Sequence, residues 1–260
     1  MALINFKLKH PDSIAPWGDA PDTSMDWLGL TEGEYWLDLN KAMLYEYTND
    51  VLTGEEDARY VEYPVARLIE DFSVLFEAIA TLVPDGFYSI AKSNHYLYRF
   101  YGAVQQWLEK VSDEATYDRF EKAIEWIYSR TLIAMHLTGG PGISFFRNGD
   151  KLAIVWKADY LTENNIPVWT AGNGEMEMPY ESFVGEVEDF GERFFNAMDM
   201  QVQLAAAKDW GSTHINKERL VQEQQERKTA WQKKLALLKG EPGKATDWEL
   251  INSLITDMFS

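Results

Sequence analysis

Residues 136–156, HLTGGPGISFFRNGDKLAIVW, admit two incompatible readings. Read as chemistry, a histidine followed by glycines and a proline resembles the oxyanion loop of some α/β-hydrolases, whose backbone N–H groups face developing negative charge. That loop follows a strand and works with a Gly-x-Ser-x-Gly elbow. Here a helical pattern precedes it, Leu137 and Thr138 separate the histidine from the glycines, and the sequence contains no such elbow. Read as structure, Gly139 supplies a left-handed cap at the end of a helix. Pro141 forbids continuation, and ISFFR and KLAIVWK then flank Asn148-Gly149-Asp150 as a hairpin. The structural reading accounts for more of the residues. It predicts a chain that passes from helices to hairpins at this point.

Working outward, IPVWTA and EMEMPY flank Gly172-Asn173-Gly174 and read as a second hairpin, with Met176 and Met178 inward and Glu175 and Glu177 outward. A long helix is expected over residues 181–209, burying Phe183, Val187, Phe190, Phe194, Met198 and Val202 at steps of three and four. Upstream, Pro64 and Pro84 bracket one helical stripe from Val65 to Val83, a helix spans residues 93–111, and Ser112-Asp113 restart a third. That third helix runs to about Leu137 with Tyr117, Phe120, Ile124, Ile127 and Met135 inward.

Further upstream, INFKL alternates as a strand, SMDWLGL and EYWLDL pair around Thr31-Glu32-Gly33, and AMLYEY follows Asn40-Lys41 as the next strand. Downstream, residues 216–240 form a basic helix, with seven bases against three acids. Its middle, residues 222–229, lacks apolar side chains and is expected to project or lie on the surface. Thr246-Asp247-Trp248-Glu249 fits a capping box for a last helix docked by Leu250, Ile251, Leu254, Ile255 and Met258. The expected architecture is one α+β domain over residues 1–260, strand-rich over 1–50, helical over 64–138, built of hairpins over 142–179 and helical over 181–260. Its antiparallel sheet is a meander of hairpins, with amphipathic helices mainly on one face.

Composition removes several classes of function. The 260 residues include no cysteine, which excludes disulfides, zinc–thiolate sites, iron–sulfur clusters and cysteine nucleophiles. The start, MALINFKLKHPDS, lacks the apolar core of a secretory signal, and no apolar run approaches a membrane span, so a cytoplasmic location is expected. Net charge is −18, which repels nucleic acid and anionic lipid and draws basic partners. The acids concentrate in residues 1–60, twelve against four bases, and in residues 170–210, nine against two.

The motifs of common chemistry are missing from the sequence. His10, His95, His136 and His214 belong to no metal-ligand motif, although they are free to converge in space. Glu121 with Glu125, and Glu188, Asp189, Glu192 and Arg193 among themselves, lie one helical turn apart without the Glu-x-x-His partner of di-metal sites. They read as solvated helix faces, and Glu55-Glu56-Asp57 reads as an exposed loop. No cofactor or metal is implied. Five of the ten tryptophans, Trp17, Trp27, Trp36, Trp156 and Trp169, fall on or near strand segments, where most serve the core and one or two can anchor a partner.

INFKL…SIAPWG, DWLGLTEGEYWLDL, VEYPVARLIEDF, ISFFRNGDKLAIVW and FVGEVEDFGERFFNAM together resemble an uncharacterised bacterial family known as a domain of unknown function, over residues 3–205. The resemblance carries no catalytic residues. It implies, by association, an immunity protein that neutralises a toxin by covering a basic face. The partner-binding candidates are then Glu32, Glu34, Asp38, Glu175 and Glu177, with a basic protein, such as a cognate toxin domain, as partner. Two other functions stay open: an enzyme or small-molecule binder whose site assembles only in three dimensions around His95 or His136, and an oligomeric scaffold that sets the basic helix against an acidic body.

Overall fold

A computed structural model describes residues 2–40, 42–52, 54, 58–109, 114–240 and 246–259. Lys41, Glu55-Glu56-Asp57, Ser112-Asp113 and the side chain of Met258, all used in the sequence reading, lie outside the described residues.

The fold is α+β, with antiparallel sheets. The first sheet is built on β3 (Glu32–Asp38), flanked on one side by β1 (Ile4–Leu8) and on the other by β4 (Met43–Leu44) and β5 (Val61–Pro64). Strict alternation along β3 sends Tyr35 and Leu37 into the core and leaves Glu32, Glu34, Trp36 and Asp38 on the opposite face. The hairpin expected between SMDWLGL and EYWLDL does not form. Only β2 (Ser24–Met25) is extended there, and it runs parallel to β10 (His214–Ile215). Asp26 is the physical reason: its Oδ1 accepts from Gly29 N at 2.8 Å, closing a side-chain turn that bends the chain where a strand would continue.

The stripe between Pro64 and Pro84 is two helices, α1 (Val65–Ser73) and α2 (Phe76–Ala80), both burying the expected apolar face. α3 (Asp85–Ala91), α4 (Asn94–Glu109) and α5 (Glu114–Tyr128) follow. The third expected helix therefore stops nine residues early, and β6 (Thr131–Ile133) takes its place. Thr131 and Ile133 are β-branched and pair across the sheet with Ser144 and Gly142, while Met135, expected inward, is 85% exposed.

Gly139 is indeed left-handed, at φ 67°, but it turns a loop between two strands rather than capping a helix. β7 (Gly142–Asn148) and β8 (Lys151–Lys157) form the expected hairpin, with Gly149 at φ 61°. The second expected hairpin is absent. β9 (Gly174–Pro179) pairs with β8, and the IPVWTA segment instead reaches the first sheet, where Trp169 bridges to Tyr47 and stacks on it at 4.9 Å.

The second sheet has the order β6-β7-β8-β9. The helices were expected mainly on one face of a single sheet; they cover both faces of this one. Ile143, Phe145, Leu152 and Ile154 share a core with the first sheet, α1, α2 and α6 (Tyr180–Ala207). Phe146, Ala153 and Val155 face the opposite core, with Tyr88 of α3, Leu97 of α4, Trp126 of α5 and Ile251 of α8 (Trp248–Phe259). Asp247, rather than Thr246, caps α8 by accepting from Leu250 N at 2.9 Å, because the Thr246 hydroxyl accepts from Arg130.

The basic helix α7 (Lys217–Lys239) does not project. Leu220, Trp231, Leu235 and Leu238 are buried, and the polar middle docks through Gln224 and Arg227. Gln224 accepts from the Trp27 indole at 2.8 Å and donates to Phe195 O and Asp199, while the Arg227 guanidinium lies 4.3 Å over the Trp27 ring.

Candidate functional site

Three of the five expected partner-binding residues share one surface. Glu32, Glu34 and Asp38 alternate with Trp36 on the solvent face of β3. Cross-strand register places Lys7 and Glu62 on either side of Glu34. Lys9 Nζ binds Glu32 at 2.9 Å and Glu62 at 2.6 Å, and Lys7 approaches Glu34 at 3.9 Å. Partial burial pulls the Lys9 pKa down, but its hydrogen bonds to Glu62 and Glu32 outweigh this and raise it. Among the described residues of β1, β3 and β5, four acids thus meet two bases on this face.

At its centre Trp36 stacks on Tyr60, with ring centroids 4.2 Å apart and planes 15° from parallel. Arg59 sits 5.5 Å from the Tyr60 ring and is tied back to Glu46. The flat aromatic pair is therefore held in one orientation and half-exposed. Asp38 accepts from the backbone of Asn40 at 3.1 Å.

Glu175 and Glu177 do not belong to this surface. They point to the opposite side of the second sheet, where Glu177 accepts from Tyr88 Oη at 2.7 Å and Glu175 from Asn94 N at 3.0 Å. Both hold α3 and α4 onto the sheet. The acidic zone over residues 170–210 is largely occupied within the chain as well: Lys228 pairs with Asp199 at 3.1 Å, Lys239 with Glu188, and Glu186 accepts from Leu3 N.

A family model, described as "Family of unknown function (DUF5984)", matches residues 3–254. The chain belongs to that family. Searches of curated proteins and of solved structures return no match. The family match runs well beyond the resemblance over residues 3–205, so the basic α7 and most of α8 belong to the family unit. The ion pairs of α7 with α6 and of α8 with α5 are consistent with that.

The histidines stand on four separate elements. His136 lies in the β6–β7 loop, where Nε2 hydrogen-bonds Tyr35 Oη at 2.8 Å and the ring stacks on Tyr63 at 3.9 Å. Burial, with help from the Arg67 charge, lowers its pKa. Nearby, burial raises the pKa of Asp71, and the buried Tyr45 hydroxyl has no hydrogen-bond partner among the described residues. His10 caps a short turn, and His95 and His214 are exposed. Among the described residues, no three His, Asp or Glu side chains are grouped to hold a metal ion. No helix among them is long and apolar enough to cross a membrane.

One feature escaped the sequence reading altogether. A groove of about 480 Å³ opens over β6, β7 and β8, walled by Tyr98, Tyr101, Tyr128 and Tyr160. Tyr98 and Tyr101, one helical turn apart, were the only local signal. Tyr128 and Tyr160 lie 27 and 59 residues beyond Tyr101, and chain spacing alone does not bring them together.

Proposed function

We propose that this protein binds a basic protein through the solvent face of its first sheet. The observation that carries the proposal is the stacked Trp36–Tyr60 pair framed by Glu32, Glu34, Asp38 and Glu62. Aromatic residues fixed before binding supply contact area at low entropic cost, and tryptophan is prominent among interface anchors. Surrounding acids steer a cationic partner and reject anionic ones. Glu175 and Glu177 lie outside this contact, exposed on the second sheet and hydrogen-bonded to Tyr88 and Asn94. In its finer form the partner is a toxin domain that the protein neutralises in the cytoplasm, as the family resemblance implies; nucleic acid and membrane are not partners in this account.

The test is calorimetric titration with toxin domains encoded beside the gene. Trp36→Ala should weaken binding by about 2 kcal/mol or more, roughly 30-fold. Reversing Glu34 with Glu34→Lys should slow association and flatten its salt dependence. Equal affinity for the parent chain and Trp36→Ala would remove the face from the contact.

A further inference from the structure

The tyrosine groove is built on the second sheet, away from the acidic face, and its argument does not depend on the proposed function. Tyr98 and Tyr101, one helical turn apart on α4, stack with ring centroids 6.1 Å apart and planes 22° from parallel. Tyr128 stands edge-on to Tyr101 at 5.7 Å. Tyr160 closes the far side by lying flat on Gly139, where an added Cβ would sit 2.1 Å from the ring. The loop that looked like an oxyanion cradle is thus the seat of an aromatic wall. The floor is small: the Thr131 hydroxyl donates to Ile127 O and lies 2.8 Å from that of buried Ser144, and a Cβ added at Gly142 would meet nothing within 4 Å.

Polar groups are placed along one side. Asp159 is fixed by Asn173 Nδ2 at 2.9 Å, and Asn173 is itself fixed by accepting from Ala158 N. The Lys157 ammonium lies 3.7 Å from the other Asp159 oxygen and 5.5 Å from the Tyr98 ring. The two charges cancel, so the groove offers a donor and an acceptor side by side with no net charge. Burial, then the Asp159 charge, pushes the Tyr98 hydroxyl up to about 12. Beyond Tyr98, Lys157 and Asp159 the hollow continues into a second one, of about 370 Å³, reached by His95 and Arg99. Two hollows joined at a shared aromatic and a shared donor–acceptor pair suit a ligand with repeating units.

We propose that this trough binds an uncharged oligosaccharide, its sugar faces against the tyrosine rings and its hydroxyls on Lys157 and Asp159. A pyranose ring combines an apolar face with donors and acceptors at its edge, which is the complement of this lining. In the first hollow the one lysine is already paired with a carboxylate, on a chain of net charge −18, and Arg99 is the further base at the second.

The full chain should be titrated by calorimetry with hexasaccharides of glucose, N-acetylglucosamine and xylose, alongside adenosine and an uncharged hexapeptide. At least one hexasaccharide should bind with a Kd between about 1 μM and 1 mM. Tyr101→Ala should weaken it about tenfold or more. Gly142→Val fills the floor without a clash and suits a strand, so it should weaken binding to a similar degree while leaving the melting temperature unchanged. The proposal is overturned if no hexasaccharide binds up to about 10 mM. It is equally overturned if Gly142→Val leaves binding intact, or if adenosine or the peptide binds more tightly than every saccharide.

Discussion

His136 is where the two sheets meet, and its environment makes a pH prediction. Its ring is held between Tyr35 and Tyr63, near Arg67, with a pKa below the ordinary 6.5. The unfolded chain therefore takes up a proton at a higher pH than the folded one. Stability from this group is full above about pH 6.5 and is lost as pH falls through that value toward the lowered folded pKa. Asp71, whose pKa is raised by burial, has the opposite sign and acts at lower pH, being favoured in the folded state as acid is added. Urea midpoints at pH 7.5 and 5.5 should separate the histidine. His136→Phe keeps a ring against Tyr63 but strands the Tyr35 hydroxyl, so it should cost about 1–3 kcal/mol at pH 7.5, and the gap to the parent should narrow at pH 5.5. At this scale the outward placing of Glu34 and Asp38 was legible, because a period of two needs only local residues, whereas Glu32 was read as part of a turn and Trp36 was not placed on that face. The tie from Lys9 to Glu62 was not legible, because β5 enters the sheet some fifty residues after β1.

Among the elements, those with long single-period patterns were legible, and those shared between two periods were not. α6 buries all six expected apolar residues, and the Asn-Gly hairpin forms as its turn chemistry requires. β6 was misassigned because three apolar or β-branched residues after a helix continue its stripe by chance; only pairing with β7 reveals a strand. The middle of α7 was read as projecting or lying on the surface because it carries no apolar signal, yet Gln224 and Arg227 dock through hydrogen bonds and a cation–π contact. The α6–α7 packing depends on a close approach. Gly191 of α6 admits Trp231, whose Nε1 would lie 2.1 Å from an added Cβ. Gly191→Ala should therefore destabilise by about 1–3 kcal/mol despite the better helix propensity of alanine. Trp231→Ala should cost about 3–5 kcal/mol. In chemical denaturation the double variant should be less destabilised than the two single effects added, because removing the indole makes room for the methyl.

Across the whole molecule, the −18 charge is not spread as one acidic shield. Bases on α7 answer acids on α6 within the chain, so the acid–base complementarity that suggested a scaffold is already used internally. In the proposed contact, the first sheet's outer face presents its acids around a fixed aromatic pair. Association with a basic partner should therefore slow as salt is raised from about 50 to 500 mM, while the α6–α7 packing, resting mainly on buried Trp231, Leu235 and Leu238, should hold. The most direct measurement is a ¹H–¹⁵N spectrum of the ten indole N–H groups during titration with a cognate toxin domain. The account predicts that the Trp36 indole resonance shifts or broadens first, while that of buried Trp126 stays in place. Saturable binding that leaves Trp36 unmoved and perturbs indoles elsewhere would contradict it.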